Sequence, residues 1–351
     1  MTYQRKKTKV VYVGNVAIGG DNPIPVQSMT TSDTRDAQAT IRQINDLAHV
    51  GCDIVRIAVP DMVAAKNIEK IKKATNIPII ADIHFDYRLA LESVKQGIDA
   101  IRINPGNIGN EEKTRAVVQA CKEKNIPIRI GVNSGSLNRK LIEKYGGPTP
   151  EAMVESALEH IKILEDLDFY DIAISLKNTN ILKTVEAYTL MSEKVDYPLH
   201  LGITEAGGIK KGTIKSSIGI GSLLVAGIGD TLRISLTGDP REEVRVGKEI
   251  LRSLGLLNDK IKIISCPTCG RCSIDLIKFA NEIEERIEDI EKDITVAIMG
   301  CAVNGPGEAR EADIGVAGGN GVGLIFKKGE ILQKIPQDQI VERLIDEINK
   351  M

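Results

Sequence analysis

Four of the six cysteines fall after position 265, and three of those have the type and spacing of a metal or cluster site. Cys266 and Cys269 form a C-x2-C pair in Cys266-Pro-Thr-Cys-Gly-Arg-Cys272, and Cys301 follows much later in Gly300-Cys-Ala-Val-Asn-Gly-Pro-Gly-Glu308. Thiolates so spaced bind either zinc or an iron–sulfur cluster, and the spacing alone does not choose between them. Cys272 would complete a four-thiolate set, but it stands at the onset of a helix, where a buried structural thiol is an equally good reading. Glu308 is a second candidate, because the glycines before it permit bends that would swing its carboxylate back toward the metal. An oxygen ligand of that kind is exchangeable, and its release would open a position for substrate. Cys52 and Cys121 stand apart and read as buried thiols.

A second set of reactive types ends the apolar runs of the first two-thirds of the chain. It comprises Arg56, Asp82, His84, Arg102, Asn104, Arg129, Asn133, Lys177, Asn178, Glu205, Arg233 and Ser235. Any one of them could be a strand-end salt bridge or a solvated loop charge. Together they place several cations at one mouth, where they would repel unless a multiply charged anion fills it, and arginine forks suit phosphate oxygens. A diphosphate or similar group is implied. Asp82, His84 and Glu205 are suited to positioning hydroxyls or moving protons.

The elements that must position these residues alternate. Short β-branched runs at 25–29, 54–59, 79–83, 100–104, 128–133, 172–177, 199–205 and 231–237 are separated by segments with apolar spacings of three and four. Such alternation calls for a parallel sheet, and eight βα units within roughly 250 residues fit a closed (β/α)8 TIM barrel. In that fold, catalytic residues sit at the carboxyl ends of the strands, where the charged set lies. Past a linker at 254–260 the pattern becomes strand, Cys loop, charged helix, strand, Gly/Pro turn, two short strands and a final helix from Pro336. The expected organisation is α/β: a TIM-barrel substrate domain at 1–258, then a small α+β domain at 259–351 carrying the cysteines.

Bulk properties narrow the class. Lys+Arg 46 against Asp+Glu 48 leaves a net charge of -2, which argues against a general polyanion binder. No tryptophan and 3% aromatic residues leave little surface for stacking nucleic-acid bases. The first residues lack the apolar core of a secretion signal, and the most apolar stretch, 218–228, is too short to cross a bilayer. A cytoplasmic chain with reduced cysteines, no membrane span and no nucleic-acid partner is expected.

The cysteine segments resemble the cluster motif of the 4-hydroxy-3-methylbut-2-enyl diphosphate synthase family of the methylerythritol phosphate route. The resemblance extends through Val26-Gln-Ser-Met-Thr-Thr31, Ala81-Asp-Ile-His-Phe85, Arg102-Ile-Asn-Pro-Gly-Asn-Ile-Gly109 and Arg129-Ile-Gly-Val-Asn-Ser-Gly-Ser136. It continues in Leu201-Gly-Ile-Thr-Glu-Ala-Gly207 and Ile234-Ser-Leu-Thr-Gly-Asp-Pro240, and so spans almost the whole chain. It implies two-electron reductive opening of 2-C-methyl-D-erythritol 2,4-cyclodiphosphate through a [4Fe-4S] cluster, with ferredoxin or flavodoxin as donor. It assigns Cys266, Cys269, Cys301 and Glu308 to the cluster and leaves Cys272 out. Arg56, Arg102, Arg129, Asn133, Lys177 and Ser235 are implied to bind substrate, with Asp82, His84 and Glu205 near the reacting carbons. A head-to-tail homodimer is implied as well. The rivals are a barrel enzyme acting on a phosphorylated or pterin-like substrate beside a structural zinc, and an iron–sulfur sensor, which would leave the charged mouth without a purpose.

Overall fold

A computed structural model describes residues 4–109, 111–288, 290–301, 309–319 and 321–351. The chain divides into two compact units, Met1–Leu254 and Gly255–Met351.

The first unit opens with an antiparallel hairpin, β1 (Val11–Val13) and β2 (Val16–Ile18). Six parallel strands follow in sequential order: β3 (Gln27–Met29), β4 (Ile54–Ala58), β5 (Ile79–Asp82), β6 (Ala100–Ile103), β7 (Ile128–Asn133) and β8 (Ile172–Lys177). β9 (His200–Leu201) and β10 (Thr231–Leu232) form a further parallel pair. Parallel bridges Ile174–Leu199 and Val26–Leu232 join that pair to the six on both sides and close the ring. They are carried by Ile174 N–H to Pro198 O at 2.9 Å and Leu232 N–H to Pro25 O at 3.2 Å. The barrel is therefore complete, although its last two ladders are much shorter than the runs 199–205 and 231–237 suggest. One cause is local: Glu205 sits at φ 55, in the left-handed region that a strand cannot use.

The two ends of the barrel are built differently. At the amino ends of the strands, Val13 and Ile18 of the hairpin pack on Ile54, Ile80 and Ala100 and plug the bottom. Three aspartates there close neighbouring strands: Asp53 accepts from Val26 N–H at 2.7 Å, Asp99 from Ile79 N–H at 2.7 Å, and Asp230 from Leu199 N–H at 2.8 Å. At the carboxyl ends the chain turns into helices whose first N–H groups are capped by short polar side chains. Asp61 accepts from Val63 and Ala64, Asp86 from Arg88, Asn180 from Lys183, and Asp239 from Arg241. Strand residues such as Ile54, Ile57, Ile101 and Ile130 are fully buried, as expected of strands covered on both faces.

The second unit is a five-stranded sheet in the order β11 (Lys262–Ser265), β12 (Thr295–Met299), β13 (Ile314–Gly319), β14 (Val322–Lys327), β15 (Glu330–Pro336). The first three are mutually parallel, and β14 and β15 are antiparallel additions. Helices Leu276–Ile287 and Ile340–Asn349 bury Phe279, Ile283, Leu344 and Ile348 against Val296, Ile298 and Val316. After the Gly/Pro turn there are three strands where the sequence suggested two. The β14–β15 turn uses Lys328 at φ 47 and Gly329 at φ 81, a primed hairpin turn whose first position is ordinarily Asn or Asp. β15 is also exposed along most of its length, so it shows no apolar alternation.

Candidate active site

An ordinary TIM barrel fills its interior with layers of branched apolar side chains. Here the alternation of β4 to β10 turns Arg56, Asp82, Arg102, Arg129, Lys177 and Arg233 inward, and four of these six, Arg56, Asp82, Arg102 and Arg129, are almost wholly buried. Asp82 organises the first group. Its Oδ2 lies 3.6 Å from Arg56 Nε and its Oδ1 3.3 Å from Arg102 NH1, so one carboxylate bridges two guanidiniums. Burial works to raise the Asp82 pKa, but the Arg56 charge, the His84 hydrogen bond and Arg102 outweigh it and hold the carboxyl well below its usual range. Arg56 also directs Nε and NH2 at Met29 Sδ, at 3.2 and 3.1 Å. Burial lowers its pKa to about 10, with Asp82 working against that shift and the neighbouring arginines adding to it.

Arg102 depends on a glycine. A Cβ built on Gly131 would lie 2.4 Å from its Nε and 2.4 Å from its NH2, so any side chain at 131 would displace the guanidinium. Arg233 is held by Glu243 of helix Pro240–Ser253, NH2 to Oε1 at 3.3 Å, and Glu243 also accepts from Ser28 Oγ at 2.9 Å and Leu236 N–H at 3.1 Å. Lys177 ends β8 opposite Asn133 of β7. Burial, then the charges of Arg56 and Arg102, press its pKa down to about 6.

Arg56, Lys177, Arg233 and Ser235 share a cavity with Ser175 and His200. Arg129 lies lower. It lines a separate cavity with Gln27 and Thr231, above Val13 and Ile18 of the hairpin. Its NH1 donates to Gln27 Oε1 at 2.6 Å. Burial and the Arg56 and Arg102 charges push its pKa well below the ordinary value. Asn104 is buried at the end of β6. His84 lies 3.6 Å from Asp82 but is half exposed. Glu205 is exposed on the turn after β9. Asn178 serves its own loop, accepting from Asn180 N–H at 2.9 Å.

Sequence reasoning missed His200, Gln27, Glu243 and Gly131. His200 is buried with its Nδ1 unpartnered among the described residues, and burial plus the Arg129, Arg56, Lys177 and Arg233 charges keep it neutral. Its signal was strand parity, since it shares an inward face with Gly202. Gln27 stood inside a quoted motif, but a neutral amide carries no chemical label. Glu243 reads from sequence as a first-turn helix charge.

In the second unit, β11 and β12 are parallel neighbours, so Cys266, just past one, and Cys301, just past the other, leave the same end of the sheet. Gly300 N–H donates to Cys266 Sγ at 3.1 Å. That contact fixes the position of a sulfur of the kind that zinc and iron–sulfur clusters both use. Cys269 is exposed in the intervening loop, and its carbonyl accepts from Cys272 N–H at 2.9 Å. Cys272 is packed inward: its thiol donates to Ile274 O at 3.2 Å, and a Cβ on Gly300 would come within 2.6 Å of its sulfur. That is a structural thiol wedged under a glycine. Among the described residues no three His, Cys, Asp or Glu side chains gather into a metal-binding group, and Glu308 lies outside the described residues. Cys52 and Cys121 are buried in the barrel unit, where desolvation pushes both thiols up to about 12.

Residues 8–248 match the GcpE TIM-barrel domain and residues 262–350 the GcpE protein C-terminal domain. The chain belongs to the GcpE family. It is 62% identical to the 4-hydroxy-3-methylbut-2-en-1-yl diphosphate synthase (flavodoxin) of Clostridium perfringens, over 97% of this chain and 98% of that one. It is 61% identical to the enzyme of the same name from Caldanaerobacter subterraneus subsp. tengcongensis, over 100% and 99%. Among solved structures, the Yersinia pestis dihydropteroate synthase superposes with a TM-score of 0.50 at 9% identity, covering 70% of this chain and 98% of that one, a likeness of fold alone. Both GcpE domains thus coincide with the units that carry the cationic mouth and the cysteines.

Proposed function

We propose that the cationic mouth binds the diphosphate of the substrate and that Cys266, Cys269, Cys301 and Glu308 hold a [4Fe-4S] cluster. The activity is that of the family's synthases: 2-C-methyl-D-erythritol 2,4-cyclodiphosphate is reductively opened to 4-hydroxy-3-methylbut-2-enyl diphosphate, an oxidoreductase step of isoprenoid biosynthesis. The observation that carries the site assignment is the imbalance of interior charge: buried Arg56, Arg102 and Arg129 and half-buried Arg233 stand against the carboxylates of Asp82 and Glu243 alone, with Lys177 beside them. Such an excess of cations is costly in a dry interior unless an anion of several charges completes it.

The residues then divide the work. Lys177, Arg56 and Arg233 line one cavity and meet phosphate oxygens there, with Ser235 and Asn133 as neutral donors and Arg102 and Arg129 behind them. As the ring opens, negative charge gathers on the departing diphosphate oxygen, and preorganised cations stabilise that charge with no reorganisation of solvent. Asp82 keeps Arg56 and Arg102 aimed inward, while His84 and Glu205, at the exposed rim, serve the carbon skeleton. When bound, a [4Fe-4S] cluster supplies the two electrons in single steps. The donor is flavodoxin, in line with the relatives' names, or ferredoxin. Unpaired thiols suit the reducing cytoplasm. A head-to-tail homodimer is part of the same proposal, and full activity from a strictly monomeric protein would refute it.

The deciding experiment measures iron, acid-labile sulfide and zinc per chain in protein purified without oxygen, then turnover of the cyclic diphosphate with reduced flavodoxin. Four irons and four sulfides with turnover support the reading. Stoichiometric zinc without sulfide rejects it in favour of a structural zinc.

A further inference from the structure

The interior cations do not share their counter-charges equally. Arg56 and Arg102 flank Asp82, and Arg233 faces Glu243. Arg129 has no ion pair among the described residues. The one side-chain hydrogen bond it makes among the described residues is to a neutral group, the Gln27 amide oxygen at 2.6 Å. That bond crosses the ring, because β3 and β7 stand four strands apart in an eight-strand order. Gln27 is 1% exposed and Arg129 4%. The remaining donors of the pair, Arg129 Nε and NH2 and Gln27 Nε2, are buried and unpartnered among the described residues.

A buried arginine serving stability alone would be better matched by a carboxylate in the place of Gln27, since an unpaired interior charge is strongly destabilising. Glutamate has nearly the size and shape of glutamine and would keep the same bond. The neutral amide gives up that stabilisation, and what it preserves is the full positive charge of Arg129 under the mouth. In a low-dielectric interior a unit charge acts strongly over several ångströms. We infer that Gln27 is a positioning residue: it fixes the Arg129 guanidinium across the barrel without cancelling its charge, so that the charge acts on the substrate diphosphate from below. The inference rests on the assignment of the mouth to that diphosphate.

The test is calorimetric titration of the cyclic diphosphate into the cluster-loaded, unreduced enzyme, with thermal unfolding and steady-state kinetics on the same preparations. Gln27→Glu is expected to unfold at the native temperature or higher while its Kd rises about tenfold or more and KM rises more than kcat falls. Gln27→Met, which keeps the volume but frees Arg129, is expected to raise KM as well; if it does not fold, Gln27→Glu decides. Native affinity in Gln27→Glu overturns the inference, and so does a loss of affinity that merely follows a loss of folding. Lys177→Met separates the two levels. If it and Gln27→Glu both bind normally, the mouth assignment fails together with the inference. If Lys177→Met binds weakly and Gln27→Glu binds normally, the inference alone fails.

Discussion

The barrel mouth and the cysteine end of the second unit are both built on neighbouring parallel strands, the first mainly from side chains within the strands and the second from side chains just past them, and they are finished to different degrees. In the barrel, side chains hold side chains: Asp82 ties Arg56 and Arg102, Glu243 ties Arg233, and Gln27 ties Arg129. In the second unit the backbone does most of the work, through Gly300 N–H on Cys266 Sγ, and the described thiols do not form a closed group. An anion site can be preorganised by the protein's own carboxylates and amides, which keep the cations aimed before substrate arrives. The described thiols have no such internal counter-group, and on the proposed assignment a bound cluster would complete them, its binding energy then contributing to the folding of that region.

The largest effect should come where the site depends on its guest. Cys301→Ser is expected to lose iron and sulfide and abolish turnover while leaving cyclic-diphosphate binding by the barrel intact; loss of both would erase the distinction between the two regions. In the barrel, Asp82→Asn should cost about 3–5 kcal/mol in a urea titration, because it leaves two buried guanidiniums without their shared carboxylate. A change well under 1 kcal/mol would mean that the mouth is not held by its internal pairs.

Gly131→Ala probes aim rather than charge. The added methyl would occupy the space of the Arg102 guanidinium, and strain of about 1–3 kcal/mol is expected, read as weaker substrate binding with near-native secondary structure. Lys177 supplies the pH test. Free, it is largely neutral above about 6; beside a diphosphate its charged form is favoured. Substrate binding near pH 7.5 should therefore take up a proton, visible as a dependence of the calorimetric heat on buffer ionisation. By linkage, affinity should fall as pH rises, and Lys177→Arg should abolish the uptake. The smallest expected effect on stability is His84→Asn, below about 1 kcal/mol, because the half-exposed imidazole adds little to a carboxylate that two arginines already hold. Any larger loss confined to turnover would place His84 at the reacting carbons.

Much of this was legible from residue order. Strand-end charges were visible because apolar runs terminate in them, and the cysteine pattern was visible because thiols are rare and their spacing is chemical. Glu243 was not, since nothing local separates a helix-surface glutamate from one folded back beneath an arginine. Lys328-Gly329 hid a hairpin because lysine is an unusual occupant of a left-handed turn position. The sequence by itself determined the barrel, the second sheet, the reactive residue types and the family, since alternation, motif spacing and overall identity are properties of order along the chain. Only the tertiary structure decided depth and pairing. It set Lys177 and Arg233 in the mouth and Arg129 beneath it, tied Arg56 and Arg102 to one carboxylate, Arg233 to another and Arg129 to an amide, and turned Cys272 inward. Those outcomes depend on which strands and helices close around a side chain, and on the water they exclude, so no local stretch of sequence encodes them.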